Sequence, residues 1–213
     1  SITQTPLNEQ DLKTMSEAVE VLRQFKGFSY FTEMSDIINR LEDHVASARM
    51  KTTPVIDFEK NESLKGLDYL DTIYHAIVNE HPIQLKYRSF KARSANSFIF
   101  YPYLLKEYRN RWFVYGVRGN GRILQNLALD RIQSLEVLPQ EHYIKNTFFD
   151  PNTFFDDLVG VTKNTGSVAE KVGFKVAAAE APYIITKPIH RSQQVMERLA
   201  DGSVILEIEV VIN

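Results

Sequence analysis

The sequence from Arg111 to Ile132, R-W-F-V-Y-G-V-R-G-N-G-R-I-L-Q-N-L-A-L-D-R-I, carries the clearest structural pattern in the chain. Two runs rich in apolar residues flank Gly119-Asn120-Gly121. The Asn-Gly pair favours the positive φ angles of a type I′ turn, which joins the two strands of a hairpin. The pattern therefore predicts strands at 111–118 and 122–128 and a β-rich centre for the chain.

Further strand patterns lie on both sides of this hairpin. Apolar and polar residues alternate from Ile83 to Arg88, and a second strand is predicted from Phe98 to Leu105. Pro102 within that strand indicates an edge position or a bulge, because proline cannot donate to a ladder. Residues 133–138 complete five strands, and a helix predicted at 64–80 precedes them. Five short strands with tight turns predict a small barrel, because closure removes the exposed edges.

The segment before this region is predicted to be helical. Apolar residues recur at three- and four-residue steps in two helices, 7–26 and 33–48, and residues 49–63 form a connector. The two helices carry no catalytic constellation, so packing or dimerisation is the simplest role for them. Residues 1–50 contain no compact three-helix unit with a basic recognition helix.

The segment after Pro139 predicts a separate α/β unit. A short helix is expected from Asp150 to Leu158. A strand at 172–176, a helix at 178–187, an extended segment at 189–195 and a strand at 203–212 then give a βαββ order. The last strand is apolar and no covering helix follows it, which indicates an incomplete module in a chain that is cut short.

Charge is concentrated in the centre of the sequence. Residues 84–131 carry ten Lys and Arg against two Asp and Glu, although the whole chain has a net charge of only -2. The flanking segments are acidic, with eight basic against fourteen acidic residues in 1–83 and seven against eleven in 132–213. A local positive field points to an anionic ligand or partner. The alternative is that the strands turn solvated basic side chains outward, towards the acidic helices.

Composition and motifs exclude several classes of protein. The 213 residues include no cysteine, so disulfides, thiol chemistry and thiolate metal sites are excluded and a reducing cytoplasm fits. The sequence has no run of about 18 apolar residues, so no transmembrane helix is predicted. No signal peptide is visible. Gly119-Asn120-Gly121 lacks the context of a phosphate loop. His190 and Ser192 have no orienting acid, and the five histidines lack metal-ligand spacing. We therefore predict no enzyme, no metal site and no cofactor.

Two short runs in the central segment resemble the signature of a known domain. Trp112-Phe113-Val114 followed by Leu129-Asp130-Arg131-Ile132 is similar to the WYL domain, named for a Trp-Tyr-Leu run and carrying a downstream L-D-R-I. The resemblance covers roughly 68–138 and implies an SH3- or Sm-like β-barrel, found mostly in bacterial transcription regulators. Phe113 and Val114 replace Tyr and Leu here. The run from Ala181 to Gln193 resembles the C-terminal extension of such regulators, an α/β unit associated with dimerisation.

The resemblance implies a ligand-sensing role, with single-stranded DNA or a nucleotide-like molecule altering DNA binding by an N-terminal winged helix-turn-helix. Basic and aromatic residues interleave along the central strands, as in barrels that bind nucleic acids. Resemblance and strand parity together give the candidate ligand-binding residues Tyr87, Ser89, Tyr101, Trp112, Arg118, Asn126 and Arg131.

Within this set Arg118 and Asn126 are expected to line a pocket with Tyr87 and Ser89. For Trp112 the alternative role is in the core, and for Arg131 it is a structural ion pair.

The sequence departs from the family at three further positions. Phe98, Gln125 and Ala128 stand where many members have arginine. If those arginines hold phosphate in the relatives, the pocket of this chain attracts anions less strongly, and its ligand differs.

Taken together, the sequence predicts an α+β chain in three parts. These are a helical hairpin and linker at 1–63, a five-stranded SH3/Sm-like β-barrel preceded by a helix at 64–140, and a partial, ferredoxin-like α/β module at 141–213. The predicted function is the ligand-sensing and dimerisation region of a cytoplasmic bacterial regulator. Its partners are a nucleic acid or nucleotide-like effector, a second copy of the chain, and DNA through a missing N-terminal domain; no membrane is involved. The alternative is a constitutive nucleic-acid-binding or structural oligomerisation module without a small-molecule ligand.

Overall fold

This computed structural model of the chain describes Asp11, Thr14, residues 65–119, Gly121 and residues 123–213. Asp11 and Thr14 are helical. The remainder of the predicted helices at 7–26 and 33–48, and the connector at 49–63, lie outside the described residues.

Five antiparallel strands form the first sheet, in the spatial order β4-β3-β2-β1-β5. Their bounds are β1 Ile83–Tyr87, β2 Asn96–Tyr108, β3 Arg111–Arg118, β4 Leu124–Ala128 and β5 Ile132–Val137. The five predicted strands are confirmed, with shifts at their ends.

The two edge strands of this sheet are close together in the chain. β4 and β5 are joined only by a 3-10 helix, Leu129–Arg131, although they lie at opposite edges. Such a short link requires the sheet to curl until its edges approach each other. The ladders of the described strands do not include a β4–β5 pair, so the closed barrel stays a prediction.

The core of the first sheet lies between its concave face and a helix. A 3-10 turn, Leu67–Tyr69, leads into helix α1, Leu70–Val78, which is shorter than the predicted 64–80. α1 buries one side, and fully burying one of its Leu or Ile side chains contributes about 1.5–3 kcal/mol. The buried residues of this core are Leu67, Leu70, Ile73, Ala76, Ile83, Leu85, Phe100, Val114, Leu127, Leu129 and Ile132.

Proline in β2 is accommodated by a bulge and not by an edge position. β2 is the central strand, and its register against β3 shifts between Pro102 and Leu104, so that Tyr103 is the extra residue. On the β1 side the ladder already ends where Phe100 faces Ile83. The missing N–H of Pro102 therefore leaves no ladder bond unmade on that side.

The turn between β3 and β4 differs in detail from the predicted one. The N–H of Gly121 donates to the Arg118 carbonyl at 2.7 Å, and the positive φ, 53°, is at Gly119. Gly121 is required for a different reason, because a Cβ there would lie 2.4 Å from the Arg118 carbonyl oxygen.

A second, three-stranded sheet follows in the order β6-β8-β7. Its elements are β6 Ala169–Val176, helix α2 Ala181–Thr186, β7 Gln194–Arg198 and β8 Val204–Val211, which confirms the predicted βαββ order. α2 covers one face through a cluster that includes Val176, Ala181, Val204 and Leu206. None of the helices in the described part of the chain has the length and hydropathy needed to span a bilayer.

Two local predictions in this C-terminal part were wrong, and a third was right in kind but too long. The expected helix from Asp150 to Leu158 is a series of turns, because its aromatic side chains pack on the first sheet instead of along one helix face. The helix predicted at 178–187 is shorter, with Pro182 in its first turn. The segment predicted to be extended from 189 is a turn as far as Gln193, whose side chain accepts a bond from the Ile189 N–H at 3.0 Å.

The segment 143–162, here called the aromatic strap, crosses the convex face of the first sheet. Its Tyr143 hydroxyl donates to the Pro102 carbonyl. The ring of Phe148 stacks on Tyr103 with centroids 6.1 Å apart. Three further strap rings surround the ring of Tyr115 at 5.3–6.2 Å, from Phe149, Phe154 and Phe155.

The aromatic strap also contacts the second sheet. The N–H of Val211 in β8 donates to the Asp157 carbonyl at 2.8 Å. Beyond β8, the Asn213 amide donates to the Thr162 carbonyl. The strap thus contacts the first sheet through rings and hydrogen bonds and the second sheet through hydrogen bonds.

Replacing Tyr103 with phenylalanine should preserve the free energy of unfolding at neutral pH or raise it by up to about 1 kcal/mol. The buried Tyr103 hydroxyl has no hydrogen-bond partner among the described residues, and an unsatisfied buried polar group costs about 1–3 kcal/mol. Urea unfolding at pH 7 measures the difference. A loss of more than about 1 kcal/mol would show that the hydroxyl is satisfied.

The same variant should change the alkaline stability. Burial, with a smaller contribution from Tyr101, raises the pKa of Tyr103 to about 12. The folded chain therefore holds this proton more tightly than the unfolded chain, whose tyrosine pKa is about 10. The resulting stability is fully present below pH 10 and is lost as the pH rises towards 12. Tyr103→Phe should flatten that decline.

Candidate nucleic-acid interface

The strand register divides the predicted ligand-binding residues between the two faces of the first sheet. Paired residues point to the same face, and neighbours along a strand point to opposite faces. Val114 is in the core, so Trp112 and Arg118 on the same strand face the concave side. Asn126 pairs with Tyr115, and Tyr101 pairs with Val117, so both belong to the convex side.

The residues on the convex face are held by the aromatic strap. The Asn126 amide donates to the Val161 carbonyl at 2.8 Å and to the Thr162 hydroxyl at 3.1 Å. The ring of Tyr101 lies against that of Tyr143, with centroids 6.1 Å apart. The predicted pocket of Arg118 and Asn126 with Tyr87 and Ser89 is therefore wrong, because Asn126 faces the other way.

At one end of the sheet β1 and β3 finish and β2, β4 and β5 begin. The strand ends are staggered: Tyr87 pairs with both Asn96 and Ile132, whereas Arg118 pairs with Phe100, four residues further along β2. We call this region the basic end and define it by Tyr87, Ser89, Phe90, Phe98, Arg118 and Arg131.

Two arginines of the basic end lie over phenyl rings. The guanidinium carbon of Arg118 is 4.1 Å from the centroid of Phe98. That of Arg131 is 4.3 Å from the centroid of Phe90. Each contact contributes roughly 0.5–1 kcal/mol at an exposed site. Phe98 stands where many family members have an arginine, and here its ring packs against the guanidinium of Arg118.

Few of the basic residues of 84–131 are neutralised. Within the described part of the chain they form one ion pair, Arg111 with Asp130 at 3.6 Å. The other acidic residue of this segment, Glu107, accepts a bond from the backbone N–H of Asn110 at 2.5 Å. The structural ion pair that the sequence suggested for Arg131 is not formed among the described residues; Arg111 pairs with Asp130 instead. The Nε of Arg131 is buried and has no hydrogen-bond partner among the described residues.

Trp112 and Tyr87 are half-buried and pack against the core, as the alternative prediction for Trp112 stated. The Ser89 carbonyl accepts a bond from the Ala92 N–H at 3.0 Å, which closes a turn in the β1–β2 loop. Sequence reasoning missed Phe90 and the role of Phe98. The available signal for Phe90 was a lone aromatic residue between Ser89 and Lys91 in a polar loop.

Two shallow cavities lie outside the basic end. One, of about 290 Å³, lies between β4 and residues 162–165 and includes Asn126. The other, of about 270 Å³, contains His190 and Ser192.

In the second cavity the Ser192 hydroxyl lies 2.7 Å from His190 Nδ1 and accepts the Glu209 N–H at 2.8 Å. These bonds tie the loop to β8. Among the described residues no group of three or more His, Asp and Glu is placed to hold a metal ion.

These features describe a small antiparallel β domain with one strongly basic end and a half-buried tryptophan on its core face. Residues 68–137 match the family model of the WYL domain, and this segment of the chain is a WYL domain.

Among solved structures, the chain is similar to the proteasome accessory factor B/C (PafBC) of Arthrobacter aurescens. The two are 14% identical with a TM-score of 0.35, over 83% of this chain and 24% of the PafBC chain. This chain thus spans about a quarter of the length of that protein. No curated protein matches the sequence.

Proposed function

We propose that this chain is the ligand-sensing and dimerisation region of a bacterial DNA-binding transcription regulator. Its WYL domain, a curled SH3-like sheet, binds a single-stranded nucleic acid or nucleotide-like effector at the basic end. The observation that carries this proposal is the charge of residues 84–131, where ten basic residues are accompanied by two acidic ones. The described basic residues of this segment form a single ion pair.

Arginine suits a phosphate-bearing ligand. Its planar guanidinium presents several donors that match phosphate oxygens in pairs, and it remains charged at every physiological pH. Arg118 and Arg131 are positioned by stacking on rings, which leaves their N–H edges without carboxylate partners among the described residues. A phosphate at the basic end would fill those positions without breaking an existing ion pair.

The aromatic strap offers a route from the WYL domain to the C-terminal α/β module. β3 and β4 contribute Tyr115 and Asn126, and both side chains donate to the same carbonyl, that of Val161. The strap then bonds β8 through Asp157. A ligand that favours one arrangement of β3 and β4 would bias the module that we propose forms the dimer. This requires different affinities for two states of the chain.

A labelled single-stranded oligonucleotide should bind the chain with an affinity that falls as salt increases. Each neutralised phosphate contributes a slope of about -0.7 in log K against log salt for single strands, so contacts from two arginines give about -1.4. Fluorescence anisotropy titrations at several salt concentrations measure this slope. Lack of binding at low salt, or an affinity that salt does not change, would contradict the proposal.

The second candidate, a structural oligomerisation module, is favoured by one observation. All five residues of β7 are exposed, among them Val195 and Met196, on a strand at the edge of the second sheet. An exposed edge strand is a template for pairing with another chain. Under this alternative, reversing the charge of Arg118 and Arg131 would leave every binding function intact.

A further inference from the structure

The side chain of Phe90 is unusually exposed for a ring that makes a specific contact. It belongs to the loop between β1 and β2, and 74% of its surface is open to solvent. One face of the ring is covered by the guanidinium of Arg131, 4.3 Å from its centroid. Single exposed apolar residues are common on protein surfaces and need no explanation by themselves. Phe90 differs from such residues because its ring contacts an arginine of the basic end.

The backbone of the loop fixes the ring next to Arg131. The N–H of Arg88 donates to the Arg131 carbonyl at 3.2 Å, which joins the start of the loop to the 3-10 helix. Within the loop, the Ala92 N–H donates to the Ser89 carbonyl at 3.0 Å. The Ala92 carbonyl accepts a bond from Arg88 Nε at 3.4 Å. These bonds hold the backbone on both sides of Phe90, and the exposed ring itself contacts the guanidinium of Arg131.

Phe90 and Arg131 together present two different binding groups. The ring offers a flat apolar surface on the side away from the guanidinium. Arg131 offers the positive charge of its guanidinium, whose Nε is buried and out of reach of a ligand. Nucleic-acid-binding proteins combine these two groups, with cations along the backbone and aromatic rings under the bases. A ligand with a negative charge and no flat group would use only the arginine.

We infer that Phe90 is the base-stacking residue for the nucleobase-bearing ligand proposed at the basic end. The base lies on the open face of Phe90, and a phosphate is bound by Arg131. This inference rests on the proposed function and deepens it, because it names the residue that contacts the base.

The test compares two probes of equal length and charge. One is a fluorescein-labelled single-stranded oligonucleotide of mixed sequence, and the other is the same oligomer with abasic sites throughout. The chain should bind the first roughly tenfold more tightly than the second, since stacking on an aromatic side chain accounts for a difference of this order.

Substitutions at Phe90 should change that ratio selectively. Phe90→Ala should bring the ratio of the two affinities close to one, because the base loses its stacking partner. Both affinities can fall together, since Arg131 also loses the ring on which it stacks, so the ratio is the quantity that tests stacking. Phe90→Trp should retain the preference. Tyr183→Ala is the matched control, because Tyr183 is also an exposed aromatic residue, 72% open to solvent, but lies on α2. It should change neither affinity.

Two outcomes overturn the inference in distinguishable ways. If the chain binds both probes and Phe90→Ala leaves their ratio at the wild-type value, Phe90 does not stack on bases, and the proposed nucleic-acid function still stands. If the wild-type chain binds neither probe, the proposed function fails together with the inference.

Discussion

Replacing Tyr115 with alanine should lower the free energy of unfolding by about 3–5 kcal/mol, the range for removing a large buried aromatic side chain. The ring of Tyr115 is only 2% exposed and is surrounded by the strap residues Phe149, Phe154 and Phe155. Its removal leaves a cavity between the first sheet and the strap. Urea unfolding followed by the fluorescence of Trp112, the only tryptophan, reports the change in the WYL domain.

Tyr115→Phe is the control for this variant. It removes only the hydroxyl that donates to the Val161 carbonyl, and that carbonyl keeps the bond from Asn126. A loss of about 1 kcal/mol is expected for one hydrogen bond. If the alanine variant is no less stable than the phenylalanine variant, the ring does not anchor the strap and the proposed connection between the sheets is incorrect.

Gly116→Ala should cost about 3 kcal/mol, the upper part of the range for inserting a group into a packed site. A Cβ at Gly116 would lie 2.1 Å from the Tyr101 carbonyl oxygen and 2.7 Å from the ring of Phe100. Neither neighbour can move freely, because Tyr101 belongs to the central strand and Phe100 is in the core. The same urea unfolding experiment gives the free energy.

Gly119→Ala separates crowding from backbone strain in the same hairpin. Gly119 has a φ of +53° and nothing lies within 4 Å of the Cβ position. An alanine there would therefore be strained only by the left-handed backbone conformation, and not by crowding. That conformation costs an L residue about 1–2 kcal/mol. Equal losses in the two variants would show that the close approach of β2 at Gly116 does not limit the fold.

Local patterns were enough to predict the elements of both sheets. Period-two alternation and the Gly-Asn-Gly turn give the five strands of the WYL domain, and the βαββ order of the C-terminal module follows from similar patterns. The sequence also localised the positive charge, because charge is a property of composition. Pro102 predicted either an edge strand or a bulge. The sheet order places β2 in the centre and so decides for the bulge, at Tyr103.

The aromatic strap could not be predicted from local patterns. Its rings contact residues about 40 positions earlier, as in the pair Tyr115 and Phe155, and such contacts leave no periodicity in a sequence. Asp150 does begin a turn, accepting the Asn152 N–H at 2.9 Å, but packing of the following aromatic residues outweighs helix propensity.

The error on Asn126 had a different origin. A turn at Asn120-Gly121 already places Asn126 opposite Tyr115, as observed, so the register alone would have assigned it to the face away from Arg118.

The central claim is that the basic end binds an anionic nucleic-acid ligand, and one titration tests it directly. Oligonucleotide affinity is measured at about 50 mM salt, where electrostatic contacts are strong, for the wild type, Arg118→Glu and Arg109→Glu. Arg109 is the matched control, because it is an exposed arginine in the β2–β3 turn at the opposite end of β3. Both variants change the net charge equally.

The account predicts that Arg118→Glu weakens binding by about tenfold or more, as expected when a charged phosphate contact becomes repulsive, and that Arg109→Glu changes it by less than about twofold. Equal losses in both variants would show that binding follows net charge alone. Unchanged affinity in Arg118→Glu would place the ligand elsewhere or favour the oligomerisation module. Either result would contradict the assignment of the basic end.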